Sequence, residues 1–369
     1  MIFTISVISL IIIGFYSVLI IIFALAFVTK KNEINAIPEK SSNVSIIVAF
    51  RNEAKNLAVL IDSLLKQNSK GKFEIILIND HSEDNSLEIL SNYKDSRIKL
   101  YNLPNAINGK KAALRYAITK AEWETLLFTD ADCLLKENWI ETMLKKLVSE
   151  KFSMVCGPVE FKKSKSIFSS LFQLEFMSLT GSGAAGILLK QPFICNGANY
   201  AVTKSVLNEA LKSVNDKYSS GDDVFLVHYV SRKHQVGFVK SDEAVVETLP
   251  PQSLSDFFNQ RLRWASKTSG YRNYFALFVA LITFLASVSI IYNGITAIFC
   301  TDVVILFLIS LIIKTLSELI LMIPVCGFYK KCNLLLWILV LSVLHPFYIV
   351  ITAVVSQLYK PIWKGRKIK

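Results

Sequence analysis

Asp130 and Asp132 stand one residue apart at the end of the apolar run Leu126-Leu127-Phe128. Two carboxylates at that spacing suit a hard divalent cation bound through oxygen, the kind of ion that bridges nucleotide phosphates. Acids after a strand are more often turn or cap residues, so the pair gains meaning only from what accompanies it. Asp80 follows a second apolar run, 73–78, where a carboxylate can accept from a ligand's ring N–H or cap the following turn. Glu53 follows the run ending in Phe50 and suits either ribose hydroxyls or the first turn of a helix. Lys110 and Lys111 come directly after Gly109, placed to meet a diphosphate as mobile point charges or simply to face solvent. Asp222 and Asp223 open a helix-period stretch, an end of a helix that favours acids. Gln260, Arg263 and Trp264 fall at i, i+3 and i+4 and so project from one helical face. That face suits contact with a diphosphate through Arg263 and stacking of a sugar on Trp264, an interfacial aromatic anchor being the other reading of the indole.

Such residues need a scaffold that brings them together. Over roughly 41–250, short apolar runs alternate with helix-period segments, the pattern of βαβ units around a mostly parallel α/β sheet. Val44–Phe50, 73–78, 98–101 and the run before Asp130 are the expected strands, with a further one over 152–158. Helical stripes run through Leu57, Leu60, Ile61, Leu64 and Leu65, through Ala113, Leu114, Ala117 and Ile118, and through Trp139, Ile140, Met143, Leu144 and Leu147. Asn85 and Glu88 have the spacing of a capping box for a short helix between the second and third strands. Open α/β sheets take their ligands at the carboxyl ends of the strands, which is where Glu53, Asp80 and Asp130 fall.

With 369 residues, 52% hydrophobic content and a mean hydropathy of +0.43, the chain is too apolar for an ordinary soluble enzyme. The excess lies at its ends. Residues 1–28 are long enough to cross a hydrocarbon layer of about 30 Å at about 1.5 Å per residue. No Lys or Arg precedes this run and Lys30 and Lys31 follow it, so it reads as a retained anchor with a cytoplasmic exit rather than a signal peptide. About three further apolar runs fill 274–358. Lys314 and Glu318 lie one turn apart inside the second of them and are expected to pair in a bundle interior, and His345-Pro346 is expected to kink the third. Residues 253–270 read as an interfacial helix capped by Ser253 and Asp256. The segment 166–189, rich in Phe and interrupted by Gly181-Ser182-Gly183, reads as an interfacial helix with a flexible glycine end, packing against the anchors being the alternative. Three crossings after Lys30 carry the basic tail 359–369 to the side opposite Lys30, against the positive-inside rule, which leaves its side open.

The net charge of +12 suits a membrane surface and polyanionic ligands. In the absence of a nucleic-acid motif, no nucleic acid is expected as partner. The six cysteines form no CxxC pair and read as reduced thiols.

Four segments together carry a resemblance. Val48-Ala49-Phe50-Arg51-Asn52-Glu53, Asn79-Asp80-His81-Ser82-Glu83-Asp84, Gly109-Lys110-Lys111-Ala112-Ala113-Leu114 and Asp130-Ala131-Asp132 resemble, in order and spacing, the nucleotide-sugar half of family 2 glycosyltransferases of the GT-A fold. Asn79 stands where that family has an aspartate, so only Asp80 carries over. Asn196-Gly197-Ala198-Asn199-Tyr200 resembles the family's acceptor-side turn and strand. Gln260-Arg261-Leu262-Arg263-Trp264 is similar to the signature of its membrane-embedded members, among them cellulose, hyaluronan and poly-N-acetylglucosamine synthases and ceramide glucosyltransferases.

The resemblance implies an inverting transfer of a sugar from a nucleotide-sugar donor, expected to be uridine diphosphate linked. Phe50, Glu53, Asp80, Lys110, Lys111, Asp130, Gln260 and Trp264 would bind substrate, and Asp132 with Asp130 would hold Mg2+ or Mn2+. Asp223 would be the general base, Asp222 a positioning residue and Arg263 a charge on the leaving group. The expected acceptor is a membrane lipid hydroxyl, a growing glycan or a catalytically silent scaffold being the alternatives. The expected location is the inner membrane of a bacterial cell with the catalytic domain in the cytoplasm, and the oligomeric state is left open.

Overall fold

The computed structural model describes residues 2–30, 43–164, 168–213, 222–358, 362–363 and 366–367. In chain order its first half holds α1 (Ile2–Thr29), β1 (Val44–Phe50), α2 (Leu57–Leu65), β2 (Phe73–Asn79), α3 (Ser86–Ser91), β3 (Ile98–Asn102), α4 (Lys110–Lys120), β4 (Thr125–Phe128), β5 (Leu134–Leu135), α5 (Trp139–Ser149), β6 (Met154–Cys156) and β7 (Val159–Phe161). Next come α6 (Ser169–Leu188), β8 (Tyr200–Thr203), α7 (Lys204–Ser213), α8 (Asp222–Lys233), β9 (Val236–Phe238), β10 (Val246–Thr248), α9 (Leu254–Ala265), α10 (Tyr274–Phe299), α11 (Thr301–Phe328) and α12 (Ile338–Leu358). These elements form two compact units, one from 43–162 and 190–249, the other from α1, α6 and the chain from 250 onward.

The first unit is built on a seven-stranded sheet of order β3-β2-β1-β4-β8-β6-β9. β3, β2, β1 and β4 run parallel, while β8 is antiparallel to both β4 and β6. β1 and β2 are apolar on both faces and buried almost throughout, as strands covered on both sides must be. α4 packs on β1 and β2, and α5 on β6 and β8, burying Trp139, Ile140, Met143, Leu144 and Leu147 as their spacing predicts. The order turns at β1, whose neighbours are β2 and β4, so the carboxyl ends of these strands open at a topological switch point. A smaller sheet, β5-β10-β7, lies in the same unit.

Two local expectations fail here. Asn85 caps α3 without any side-chain hydrogen bond, so the box with Glu88 does not form. Asp84 takes over, accepting from both the N–H and the hydroxyl of Ser86 (3.1 and 2.5 Å), because an acid two residues upstream folds back onto that N–H. The strand over 152–158 is shorter than expected, Met154–Cys156, although the Gly157 N–H still donates to the Asn199 carbonyl (2.9 Å), the next position in the β6–β8 register.

Among the described residues, four helical stretches of the second unit are long and apolar enough to cross a membrane: Ile2–Thr29, Tyr274–Phe299, Thr301–Phe328 and Cys332–Leu358. The expected pair forms, Lys314 Nζ lying 2.6 Å from Glu318 Oε1, with Lys314 1% exposed. Glu318 also accepts from the Tyr16 hydroxyl (2.9 Å) and the Ser342 hydroxyl (2.7 Å), so one carboxylate ties α1, α11 and α12. Pro346 lies within α12, and Pro324 within α11.

α6 belongs to this helical unit and runs unbroken through Gly181-Ser182-Gly183, against the reading of those residues as a flexible end. It packs on α1 and α11. A Cβ at Gly181 would stand 2.6 Å from Val325 Cγ2, so the missing side chain admits the neighbouring helix. α9 starts as expected, the Ser253 hydroxyl accepting from the Asp256 N–H at 3.1 Å.

Candidate active site

The loops after β1 and β2 are laced together. Asn52 and His81 each sit two residues past a strand in the left-handed region, at φ 53° and 56°, a backbone that a non-glycine residue adopts only when its surroundings enforce it. The enforcement is visible. Asn52 Oδ1 accepts from Glu83 N (2.8 Å), Ser82 Oγ from Asn52 N (3.0 Å), Ser86 Oγ from Glu53 N (3.0 Å) and Asp84 Oδ2 from Ala54 N (3.0 Å). Glu53 therefore stands in a fixed turn ahead of α2 rather than in its first helical turn, and its carboxylate accepts from Asn56 Nδ2 at 2.7 Å. Phe50 ends β1 and is 3% exposed.

Asp80 is buried, with both carboxylate oxygens 3.1 Å from the Gly109 N–H and Oδ1 3.2 Å from His81 Nδ1. Gly109 has φ 95°, which only glycine adopts without strain, and it leads directly into α4. The buried acid at the end of β2 thus sets the start of the helix that bears Lys110 and Lys111. Lys110 in turn forms an ion pair with Asp130.

Asp132 accepts from the Thr248 hydroxyl at 3.1 Å. Burial, then the negative charges of Asp130 and Glu53, hold its carboxyl above the ordinary value, against the pull of Thr248 and Lys110. Three carboxylates therefore share one neighbourhood, with the Lys110 ammonium beside them. Among the described residues no three His, Cys, Asp or Glu side chains form a closed metal cage. Mg2+ and Mn2+ at phosphate sites take one or two carboxylates and complete their shell from phosphate and water, and the hard oxygens and surplus charge of Asp130 and Asp132 fit that requirement.

Asp223 arrives at the same end of the sheet by another route. β4 and β8 are antiparallel with Phe128 opposite Tyr200, their rings stacked at 4.5 Å and 7°. The chain leaving β4 toward Asp130 and the chain entering β8 from Asn196-Gly197-Ala198 therefore meet at one end of the sheet. Asp223, in the first turn of α8, packs against that entering turn beside Gly197, and its carbonyl accepts from Cys195 Sγ (3.2 Å). The side chain of Asp222 lies outside the described residues. Behind the turn, Asn199 is fully buried, accepting from Trp139 Nε1 (2.9 Å) and donating to the carbonyls of Pro158 (2.8 Å) and Ala244 (2.7 Å).

Gln260, Arg263 and Trp264 lie on α9 at the expected helical spacing, in the helical unit. Sequence reasoning singled out neither Thr248, which is 116 positions from the acid it meets, nor Arg261, which is buried within α9. Arg261 carried a usable signal, since its neighbours Phe257 and Leu262 mark the apolar side of that helix.

The model of the glycosyl transferase family 2 matches residues 45–211. Over 240 residues the chain is 25% identical to a poly-beta-1,6-N-acetyl-D-glucosamine synthase of Staphylococcus aureus, covering 64% of this chain and 56% of that protein, so it spans little more than half of that relative's length. It is 32% identical over 119 residues to the glycosyltransferase GlyG of Streptococcus pneumoniae, covering 32% of this chain and 39% of that protein. Among solved structures, the mannosyltransferase PcManGT from Pyrobaculum calidifontis, in complex with GDP-Man and Mn2+, superposes with a TM-score of 0.63 at 16% identity, covering 93% of this chain and 99% of that one. That likeness shows a shared fold, the expected GT-A arrangement.

Proposed function

The chain carries a glycosyltransferase family 2 domain, and on that premise we propose that it is an inverting glycosyltransferase, moving a sugar from a nucleotide-sugar donor to the hydroxyl of a membrane-borne acceptor. The observation that supports the proposal is that the chain leaving β4 toward Asp130 and the turn entering β8, against which Asp223 packs, lie at the same end of two neighbouring strands.

Each residue has a task there. Asp80 keeps a carboxylate for the N–H edge of the base, which suits uracil and also the N1–H and amino edge of guanine. Glu53 faces the ribose hydroxyls. Lys110 exchanges Asp130 for the diphosphate once the donor binds, and Lys111 stands beside it in the first turn of α4. Asp130 and Asp132 would hold Mg2+ or Mn2+, whose chemistry there is to offset the charge of the departing diphosphate. Asp223 takes the proton of the acceptor hydroxyl while its oxygen bonds to the anomeric carbon from the face opposite the leaving group. The bond to the diphosphate breaks in the same displacement, so an α-linked donor gives a β-linked product. Gln260, Arg263 and Trp264 take their donor-binding role from their motif.

Two acceptors are in contention. The long apolar helices suit an acceptor carried in a bilayer, such as a lipid hydroxyl. The likeness to a poly-N-acetylglucosamine synthase favours chain extension. Purified protein is to be offered UDP- and GDP-linked sugars with membranes, with and without chelator, and radiolabelled product followed into organic or aqueous phase. Label in the organic phase supports the lipid, and label in a long aqueous polymer supports the synthase. Transfer that persists in Asp223→Asn defeats the catalytic assignment and revives a scaffold role.

A further inference from the structure

Between the motif residues of α9 lies a side chain that the proposed chemistry does not use. Arg261 and Glu175 of α6 are 5% and 4% exposed and form a two-pronged ion pair, Nε donating to Oε1 at 3.0 Å and Nη2 to Oε2. The Tyr348 hydroxyl of α12 donates to the same Oε1 at 2.7 Å. The guanidinium is held between two rings, its central carbon 4.5 Å from the Phe257 centroid and 4.4 Å from that of Trp264. Its remaining arm, Nη1, donates to Gln260 Oε1. One buried group therefore touches two of the motif's side chains.

The consequences for those two side chains are geometric. Gln260 turns its oxygen toward Arg261, so its amide NH2 is turned away as a donor for a sugar or phosphate oxygen. Trp264 has its plane set by the guanidinium, as a stacking platform requires. The plane of the guanidinium is set by the Glu175 fork, which a lysine cannot reproduce. Stability alone does not call for this arrangement, because a buried ion pair is often replaced by apolar residues of similar volume without loss. We infer that Glu175 and Arg261 are positioning residues that preset Gln260 and Trp264 for the nucleotide sugar, an inference that rests on the donor-binding reading of α9.

The test uses the full chain purified in detergent, with UDP-N-acetylglucosamine and GDP-mannose as probes in the presence of Mn2+. Dissociation constants are read by calorimetry, KM and kcat by transfer, and folding by thermal unfolding. Three variants are compared: Arg261→Lys, the apolar replacement Glu175→Leu/Arg261→Met/Tyr348→Phe, and Trp264→Ala. The expected result is a tenfold or greater rise in Kd and KM for Arg261→Lys and for the triple variant, with kcat less affected and the unfolding temperature kept. A merely structural role would lower the unfolding temperature and leave KM where it was, and that result overturns the inference. Should the triple variant not fold, Arg261→Lys decides alone. Weaker donor binding in Trp264→Ala without any change in Arg261→Lys overturns the positioning role and leaves the donor-binding reading intact. If Trp264→Ala changes nothing, or if neither probe binds the unaltered protein, the donor-binding reading fails and takes the inference with it.

Discussion

The carboxylate of Asp223 rests against Gly197: a Cβ at position 197 would stand 3.1 Å from Asp223 Oδ2 and 3.4 Å from its Cγ. Contact this tight obliges the neighbour to yield by a few tenths of an ångström. Gly197→Ala is therefore expected to displace the proposed base while leaving the sheet alone. Transfer kinetics should show kcat lower by roughly 10-fold with donor KM unchanged, since small misplacements of a reacting group are costly. An unchanged kcat would mean that the carboxylate of Asp223 does not act from this position.

Asp223→Asn keeps an oxygen for the Val224 N–H, which Asp223 Oδ1 now accepts at 2.9 Å, but cannot take a proton. The expectation is a fall in kcat of about 10²-fold or more, in the range of general-base contributions, with donor affinity preserved. Calorimetric donor binding measured beside transfer rates separates these two effects.

The ion pair between Lys110 and Asp130 ties up two groups that the donor complex would redistribute. Lys110→Met should raise donor KM by about 10-fold, from the loss of the charge proposed to meet the diphosphate. Chelation should suppress transfer, with recovery on adding Mn2+ or Mg2+, and Asp132→Asn should resemble chelation without that recovery. Full activity of Asp132→Asn in chelator would remove the cation from the scheme.

Asn199→Leu tests the scaffold rather than the chemistry. It strands the Trp139 N–H and the carbonyls of Pro158 and Ala244 in a buried place. At about 1–3 kcal/mol for each lost partner, a destabilisation of roughly 3 kcal/mol or more is expected, read as a lower unfolding temperature. A variant as stable as the parent would show that these groups find other partners.

Glu74 gives a pH dependence whose sign can be worked out. Burial raises its carboxyl, but hydrogen bonds from Lys99, Ser45 and the Glu122 N–H outweigh that and leave it below the ordinary glutamate value. A carboxyl lowered by folding stabilises the protein above its unfolded pKa of about 4.3, and that contribution fades as the pH falls through the folded value. The stability gap between the parent and Glu74→Gln should thus be constant near neutrality and shrink in acid. A gap that widened in acid would reverse the assignment.

Much of the first unit was legible because period and burial coincide. Strands buried on both faces leave unbroken apolar runs such as Val44–Phe50, and α5 leaves a stripe from Trp139 to Leu147. The pairing of Lys314 with Glu318 was legible for a similar reason, since charges in an apolar helix have few other outlets. Gly181-Ser182-Gly183 was misread because a glycine that frees the backbone and one that admits a neighbour look alike in a chain, and only the closeness of Val325 tells them apart. The capping box at Asn85 was misread because its spacing to Glu88 fits one, whereas the side-chain bond at the start of α3 is made by the preceding Asp84 to the Ser86 N–H.

By itself the sequence determined which residue types stand at the ends of which strands and helices, because periodicity and end signals are local properties of a chain. That is how Glu53, Asp80, Asp130, Asp132 and Asp223 were singled out. Only the tertiary structure decided their partners: Asp80 to the Gly109 N–H, Lys110 to Asp130, Thr248 to Asp132, Asp223 to Gly197 and Arg261 to Glu175. Such contacts join positions tens to more than a hundred residues apart, and they are set by strand order and packing, which no local pattern encodes.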